Sequence, residues 1–464
     1  MQSISFSRLE KSKVALWGYG AEGQSTLIAL RERFPDKQLT LLLSPEEADR
    51  WDFSVDPYLR LWTDPINASA LGQFDYVIKS PGISPYQKAV EWALFRGTKF
   101  ISNAHLWFAE HPYLKTICVT GSKGKSTTTA LLAHLLRRGK ITAAMCGNIG
   151  LPLLDVLNPE PMPEWWAIEL SSYQTADFLG VPACAVVLNL HPEHLDWHNG
   201  SIDQYYGDKL KILANGKAEV AVLNAADAEL MRRTQAIERR FLFNDAKGWH
   251  SSGGFIARGS EQVLSLSDVR LSGPHNASNV CAALCALEAC GLDAIALAQH
   301  VRTFQPLSHR LQRLGNRGAI EWVNDSISTT PHATIAALQS LSGRPTCVIV
   351  GGFDRGLPWD VFADYLRLTP CHGVVLQGQN APRIAEALKD VLASSAIRSA
   401  IVADLASAVH VARELTPAGG TILLSPGAPS FDQFSDYQQR GKQFAQLAGF
   451  EAAGFDDIEG LGVA

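Results

Sequence analysis

Short apolar runs recur along the chain, among them "KVALWG", "QLTLLL", "YVIKS", "TICVTG", "WWAIELS", "CAVVLNL", "TCVIVGG", "GVVLQG" and "TILLSP". Each is too short for a helix and gives way to glycine or a polar residue, which is the grammar of buried strands. Between them lie longer stretches with apolar positions three and four apart, such as "STTTALLAHLLRR", which predict helices packed on a sheet. Strand and helix alternating in this way predict an α/β fold with mostly parallel sheets. The pattern falls into three blocks, 1–103, 104–306 and 307–464, with Pro306 and a change of rhythm marking the last boundary. No short internal repeat or low-complexity segment interrupts them.

Length and composition narrow the picture only a little. A chain of 464 residues is long enough for roughly three domains. A formal charge of -5 gives no support for nucleic-acid binding, which leaves a basic patch or stripe. The start lacks the basic-then-apolar order of a signal peptide, and no apolar run approaches the ~18 residues of a membrane span, so a cytoplasmic protein without membrane contact is expected. The 8 cysteines include no C-x-x-C, and Cys281, Cys285 and Cys290 fall on a small-residue helical stretch as buried thiols would.

Candidate chemistry begins in the first block. "KVALWGYGAEGQSTLIAL" is strand, then G-x-G-x-x-G at Gly18, Gly20 and Gly23, then helix. A dinucleotide site would add an acidic residue at the tip of the second strand. That strand ends at Leu43 and Ser44 without one, so NAD is a minor possibility. What stays is the general expectation of a helix N-terminus offering amides to a phosphate. A second turn, "VIKSPGISP", reads locally as no more than a turn.

The second block carries "ICVTGSKGKSTTTALLAHLL", Ile117 to Leu136. Gly121 and Gly124 let a backbone curl around phosphate oxygens, Lys125 can reach terminal phosphates, and the Ser126 hydroxyl suits Mg²⁺. The loop is two residues shorter than G-x-x-x-x-G-K-[ST]. "EWWAIELSSYQ" then delivers Glu169 at a strand end, a good Mg²⁺ partner for Ser126. His191, His194, Asp196 and His198 follow another strand. Their spacing matches no zinc pattern, and a hard, oxygen-preferring ion shared with ATP fits better. In "LSGPHNASNVCAALCAL", Asn276 and Asn279 read first as helix caps, although paired amides could also read an adenine edge. The third block gathers strand-end loops at one edge of a further sheet, a plausible wall for substrate.

Together these residues resemble the Mur ligases, ATP-dependent amide-forming enzymes of peptidoglycan precursor synthesis. The likeness rests on "SPGI", "TGSKGKST", "GNIGLP", "ELSSYQ", "HLD", "DKLKI", "HNASN", "HR", "NDS", "GGFDRG" and "SPGAPSFDQFSDYQQRG", in that order over nearly the whole chain. The resemblance implies a Rossmann-like N-terminal domain for a UDP-linked substrate, a central P-loop ATPase domain with a parallel sheet, and a Rossmann-like C-terminal domain for the incoming amino acid. It implies that Gly121, Ser122, Lys123, Gly124, Lys125, Ser126 and Thr127 hold ATP, with Asn276 at adenine and Arg310 and Asp325 at phosphate and ribose. Ser126, Glu169, His194 and a carbamylated Lys209 would hold Mg²⁺, and Lys125, Glu169, His194 and Lys209 would be the catalytic set. Gly20, Ala21, Ser80, Gly82, Asn148 and His194 would meet the uridine nucleotide. A monomer is expected.

Within the family the likeness is greatest to the branch that adds glutamate to UDP-N-acetylmuramoyl-L-alanine through an acyl phosphate. Thr329, Arg355, Ser430, Phe431 and Tyr437 fall where that branch contacts glutamate. The D-glutamate enzymes commonly read "NDSKATN", whereas this chain has "NDSISTTPHAT", with Ile327 at the lysine and Pro331 following. Phe431 and Tyr437 replace Leu and Phe. These departures resemble the subgroup that adds L-glutamate and relies on a separate epimerase, with the D-glutamate reaction as the alternative. A folylpolyglutamate synthetase-like ligase typically lacks the preceding G-x-G-x-x-G domain, and a non-catalytic nucleotide-binding protein would have no use for Lys125, Glu169, His194 and Lys209 together.

Overall fold

In the computed structural model the apolar runs become strands buried on both faces, as parallel strands covered by helices must be. The structure describes residues 4–463 apart from 50–51, 217, 272, 342 and 453–460. The first sheet comprises β1 (Val14–Trp17), β2 (Leu39–Leu42), β3 (Leu59–Trp62), β4 (Tyr76–Lys79) and β5 (Lys99–Ile101), all parallel, in the order β3-β2-β1-β4-β5. The order reverses between β1 and β4, which opens a crevice at their C-terminal ends. Helix Ala21–Arg33 follows β1 and buries Gly23, Thr26, Leu27 and Leu30, the i, i+3, i+4, i+7 face of its sequence.

The central sheet is built on β6 (Thr116–Thr120), β7 (Ala143–Gly147), β8 (Trp165–Glu169), β9 (Cys184–Val187), β10 (Val220–Asn224) and β11 (Arg240–Phe243), paired in parallel in the order β11-β10-β9-β6-β8-β7. β12 (Trp249–Ser252), β13 (Phe255–Arg258) and β14 (Glu261–Ser265) extend one side, the last two antiparallel. The third sheet comprises β15 (Gln312–Arg317), β16 (Ile320–Asn324), β17 (Thr346–Val350), β18 (Gly373–Leu376), β19 (Arg398–Ile401) and β20 (Thr421–Leu424), ordered β15-β16-β20-β17-β18-β19. Only the β15–β16 pair is antiparallel. A final strand, β21 (Gly462–Val463), pairs antiparallel with β7 on the central sheet, and Arg137 donates to the Gly462 carbonyl at 2.8 Å.

The three sheets make two compact units. One holds the first two sheets with β21, and the other, residues 270–274 and 305–459, holds the third. In the first unit one core runs through both sheets: Leu16, Leu30 and Leu41 belong to the same cluster as Ile168 and Val187, and the Trp107 and Trp166 rings meet edge-on at 4.8 Å. The second unit has its own cores on the two faces of its sheet. No helix among the described residues is long and apolar enough to cross a membrane.

Candidate active site

β6 ends at Thr120 and helix Lys125–Arg138 begins five residues on, so the loop between them is short and tightly determined. Gly121 and Gly124 have φ of 155° and 87°. A Cβ on Gly121 would lie 2.9 Å from Leu188 Cβ, and one on Gly124 only 2.3 Å from Asn279 Oδ1. Asn189 clamps the turn. Its carbonyl accepts from Ser122 N at 3.0 Å, its Oδ1 accepts from Lys123 N at 2.8 Å, and its Nδ2 donates to the Lys123 carbonyl at 3.0 Å. Ser122 Oγ donates to the His191 carbonyl at 2.8 Å and lies 2.9 Å from the Tyr205 hydroxyl. Lys125 Nζ curls over the loop toward the Gly121 and Ser122 carbonyls at 3.0 and 3.2 Å, and Lys123 pairs with Glu193. Ser126 is buried and Thr127 half-buried at the start of the helix, the end at which a helix favours an anion.

Glu169 ends β8 on the neighbouring strand. Its side chain is buried; Oε1 accepts from Asn148 Nδ2 at 2.8 Å, while Oε2 is enclosed without a hydrogen-bond partner. An orphaned buried carboxylate oxygen is costly, and a cation is what would offset it. Lys209 is fully buried in helix Ile202–Leu210, donates to the Gly121 carbonyl at 2.9 Å and lies over the Tyr205 ring at 4.9 Å. Burial first, and then the charge of Lys125, holds its amine well below the usual lysine range. His194, with φ of 52° and its ring against Tyr173, is pushed down to about 4, chiefly by burial, and so stays neutral and able to ligate metal.

Mg²⁺ takes hard oxygen donors from one or two protein groups and completes its shell with phosphate and water. The buried Ser126 hydroxyl and the orphaned Glu169 oxygen fit that demand, and His194 would add a neutral imidazole nitrogen. Among the described residues no three His, Cys, Asp or Glu side chains converge into a metal cage. His198, one of the four candidate ligands after β9, is fully buried; its Nδ1 lies 2.8 Å from Asp208 Oδ2, and its Nε2 is enclosed without a hydrogen-bond partner. Asn276 lies in the first turn of helix Pro274–Ala289 and Asn279 in the next, where Asn279 Nδ2 donates to Asn276 Oδ1 at 3.1 Å and Asn279 backs the phosphate loop.

In the first sheet the glycine fingerprint is a packing device. A Cβ on Gly23 would stand 2.3 Å from the Gly18 carbonyl, and Ser80 Oγ donates to that same carbonyl at 3.2 Å. Gly20 caps helix Ala21–Arg33 with open space around it, Ala21 is exposed, and Gly82 is also open, its carbonyl accepting from Trp197 Nε1 at 3.0 Å. Asn148, expected near the uridine nucleotide, spends its amide on Glu169.

The remaining predicted residues belong to the second unit. Asp325 is buried and accepts from the Ser328 and Ser425 hydroxyls and from Leu311 N; burial lifts it to about 6 against those hydrogen bonds. Arg310 and Thr329 are half-buried and Arg355 is exposed. Ser430 is buried next to an exposed Phe431, whose ring meets Phe353 at 6.3 Å, and the Tyr437 ring meets His309 at 5.9 Å. Buried Arg440 ties the two loops of this set together, donating to the Ser326, Ala428 and Pro429 carbonyls at 2.8 to 3.1 Å.

Sequence reasoning missed Asn189, Tyr205 and Gln174. Tyr205 had a signal, since it stands one helical turn before Lys209. Asn189 and Gln174 had none, because their partners lie 66 and 152 residues away.

The Mur ligase middle domain matches residues 119–287, and the Mur ligase glutamate ligase domain matches residues 309–427. A Xanthomonas campestris pv. campestris (strain 8004) protein named UDP-N-acetylmuramoyl-L-alanine--L-glutamate ligase is 48% identical over 99% of this chain and 100% of its own. The chain belongs to the Mur ligase family. Members of that family are ATP-dependent, amide-bond-forming ligases, and this chain is one of them. A Xylella fastidiosa (strain Temecula1) protein of the same name stands at 48% identity over the same shares of the two chains. Among solved structures, the UDP-N-acetylmuramate-alanine ligase MurC of Thermotoga maritima covers 94% of this Mur ligase and 99% of its own chain at a TM-score of 0.59. At 18% identity that likeness speaks for the fold alone.

Proposed function

We propose that this Mur ligase joins L-glutamate to the alanyl carboxylate of UDP-N-acetylmuramoyl-L-alanine, releasing ADP and phosphate, as a step of peptidoglycan precursor synthesis. The observation that carries the reading is the phosphate loop whose Gly121 carbonyl also holds the buried Lys209 amine. The names of the two 48% relatives supply the substrates. The uridine nucleotide is assigned to the domain of residues 1–103, ATP to 104–306 and glutamate to 307–464.

A carboxylate resists attack by an amine, so the alanyl carboxylate first takes the γ-phosphoryl group and becomes an acyl phosphate. Phosphoryl transfer needs positioning and charge neutralisation more than covalent help. Lys125 and the helix start at residues 124–127 provide both for the ATP phosphates, on a loop whose Ser122 and Lys123 amides are held by Asn189. Ser126, Glu169, His194 and a carbamylated Lys209 would hold Mg²⁺, which when bound draws charge from the transferring group. A neutral amine is the form that adds CO₂, its nitrogen bonding to carbon and losing a proton; burial of Lys209 favours that form. Asn148 orients Glu169. In the second half-reaction the glutamate amine attacks the acyl phosphate, and the tetrahedral intermediate expels phosphate. Thr329, Arg355, Ser430, Phe431 and Tyr437 are assigned to glutamate, Asn276 to adenine, and Arg310 and Asp325 to ATP phosphate and ribose.

The L-configuration is favoured by the relatives' names and by Ile327, Pro331, Phe431 and Tyr437 in the third-domain loops. Phosphate release by the purified protein with ATP, Mg²⁺ and UDP-N-acetylmuramoyl-L-alanine is expected with L-glutamate and not with D-glutamate. Release with D-glutamate alone would refute the stereochemical assignment and leave the ligase assignment standing.

A further inference from the structure

Asp208 comes directly before Lys209 in helix Ile202–Leu210, and its side chain is fully buried. Four side chains converge on its carboxylate. The Tyr86 hydroxyl donates to Oδ1 and Oδ2 at 2.6 and 2.5 Å, and Gln204 Nε2 donates to Oδ1 at 3.1 Å. Lys211 Nζ stands 2.9 Å from Oδ1. His198 Nδ1 lies 2.8 Å from Oδ2, and against a carboxylate the ring nitrogen is the donor. An ionised carboxylate only accepts, so this set of donors marks Asp208 as a buried anion with both oxygens committed to protein.

The segments that these donors belong to are the ones the metal end of the site is built from. Helix Ile202–Leu210 carries Lys209 to the Gly121 carbonyl. His198 N donates to the His194 carbonyl at 3.3 Å, closing the turn in which His194 keeps its left-handed φ of 52°. With the His198 ring held by Asp208, that turn is fixed to the helix. Tyr86 lies in the loop after β4, and Gln204 Nε2 also donates to its hydroxyl at 2.7 Å. In the same loop Ser84 Oγ donates to the Trp197 carbonyl at 2.7 Å, and the Gly82 carbonyl accepts from Trp197 Nε1. One carboxylate thus joins the first-sheet loop, the His194 turn and the Lys209 helix.

We propose that Asp208 is the positioning residue of the metal ligands: it holds Lys209 and His194 in register with each other, and Tyr86 anchors both to the loop that carries Ser80 and Gly82. The inference rests on the role proposed above for Lys209 and His194 toward Mg²⁺. Asp208 acts through its donors and is not itself a ligand, since its oxygens are already committed. Partners that orient metal ligands from behind typically matter by about 10- to 100-fold in metal affinity or activity. Asp208→Asn keeps the shape and turns one acceptor oxygen into a donor, which sets it against the donors now facing that oxygen. Tyr86→Phe removes one donor and leaves the ring.

¹³C NMR of the full chain in labelled bicarbonate reads the Lys209 carbamate separately from turnover, and steady-state rates with Mg²⁺ varied read the metal. Asp208→Asn is expected to need about 10-fold or more bicarbonate for the carbamate signal of the natural protein, and about 10- to 100-fold more Mg²⁺ for half its maximal rate. Tyr86→Phe, short of one donor, is expected to shift both in the same direction by about threefold to tenfold. Added bicarbonate should recover part of the lost rate in either variant and none in Lys209→Arg. A merely structural tie would lower the melting temperature and leave the bicarbonate and Mg²⁺ dependence unchanged, and that result overturns the proposal. If Asp208→Asn does not fold, Tyr86→Phe decides by the same two readouts. No carbamate signal in the natural protein removes the Lys209 assignment itself, and this proposal with it.

Discussion

Glu169 separates what the site needs from what the fold needs. Its enclosed Oε2 has no partner, so Glu169→Gln removes a buried charge and is expected to hold or raise stability, by about 1 kcal/mol, in a melt without Mg²⁺ or ATP. The same change is expected to lower kcat about 100-fold or more, since a proposed ligand of the Mg²⁺ that draws charge from the transferring group is lost. A variant that is both inactive and unstable would make Glu169 a structural residue. Lys209 gives a second test. Lys209→Arg cannot form a carbamate and is expected to lose about 100-fold or more in kcat, with a ¹³C carbamate signal present in the natural protein and absent in the variant. At this scale the sequence was most informative where contacts are local. Lys125 and Ser126 follow their glycines directly, and Glu169 ends a visible strand. Asn189, Gln174 and the orphaned oxygen of Glu22 depend on neighbours brought together by the sheets, and no spacing in the chain announces them.

The element that most rewards a test is the turn from β1 into helix Ala21–Arg33. Its glycines look alike in sequence but do different work in space. Gly23→Ala would drive a Cβ to 2.3 Å from the Gly18 carbonyl, and is expected to cost about 1 to 3 kcal/mol of stability as the helix is pushed off the strand. Gly20→Ala meets nothing within 4 Å and should fold normally. If the backbone there approaches the nucleotide, Gly20→Ala raises the KM for UDP-N-acetylmuramoyl-L-alanine and leaves that for ATP unchanged. Steady-state kinetics with each substrate varied in turn, beside thermal melts, reads both effects. The strands and the β–α alternation were legible because buried parallel strands announce themselves by continuous apolar runs. The antiparallel extension β12–β14 was not anticipated, since Trp249–Ser252 and Glu261–Ser265 are largely half-buried or exposed and carry little apolar pattern.

Across the whole molecule, three sheets fall into two compact units, and the chain's end at β21 returns to the central sheet. The first two sheets share one apolar cluster, the first sheet has another on its far face, and the third sheet keeps its own. Cooperativity follows shared cores, so calorimetric unfolding is expected in two transitions rather than three. Each unit carries a buried carboxyl that can label its transition. Glu22 rises from 4.5 to about 7 and Asp325 from 3.8 to about 6, in both cases chiefly through burial. A folded state that keeps a proton the unfolded chain has lost grows less stable as pH rises from the ordinary carboxyl range through those values, and no further above them. Glu22→Gln removes that penalty from the first unit and Asp325→Asn from the second. Each variant should therefore raise one transition and not the other, by more at about pH 8 than at about pH 5. Three transitions, or one transition moved by both variants, would show that the cooperative units are not the two that the cores define.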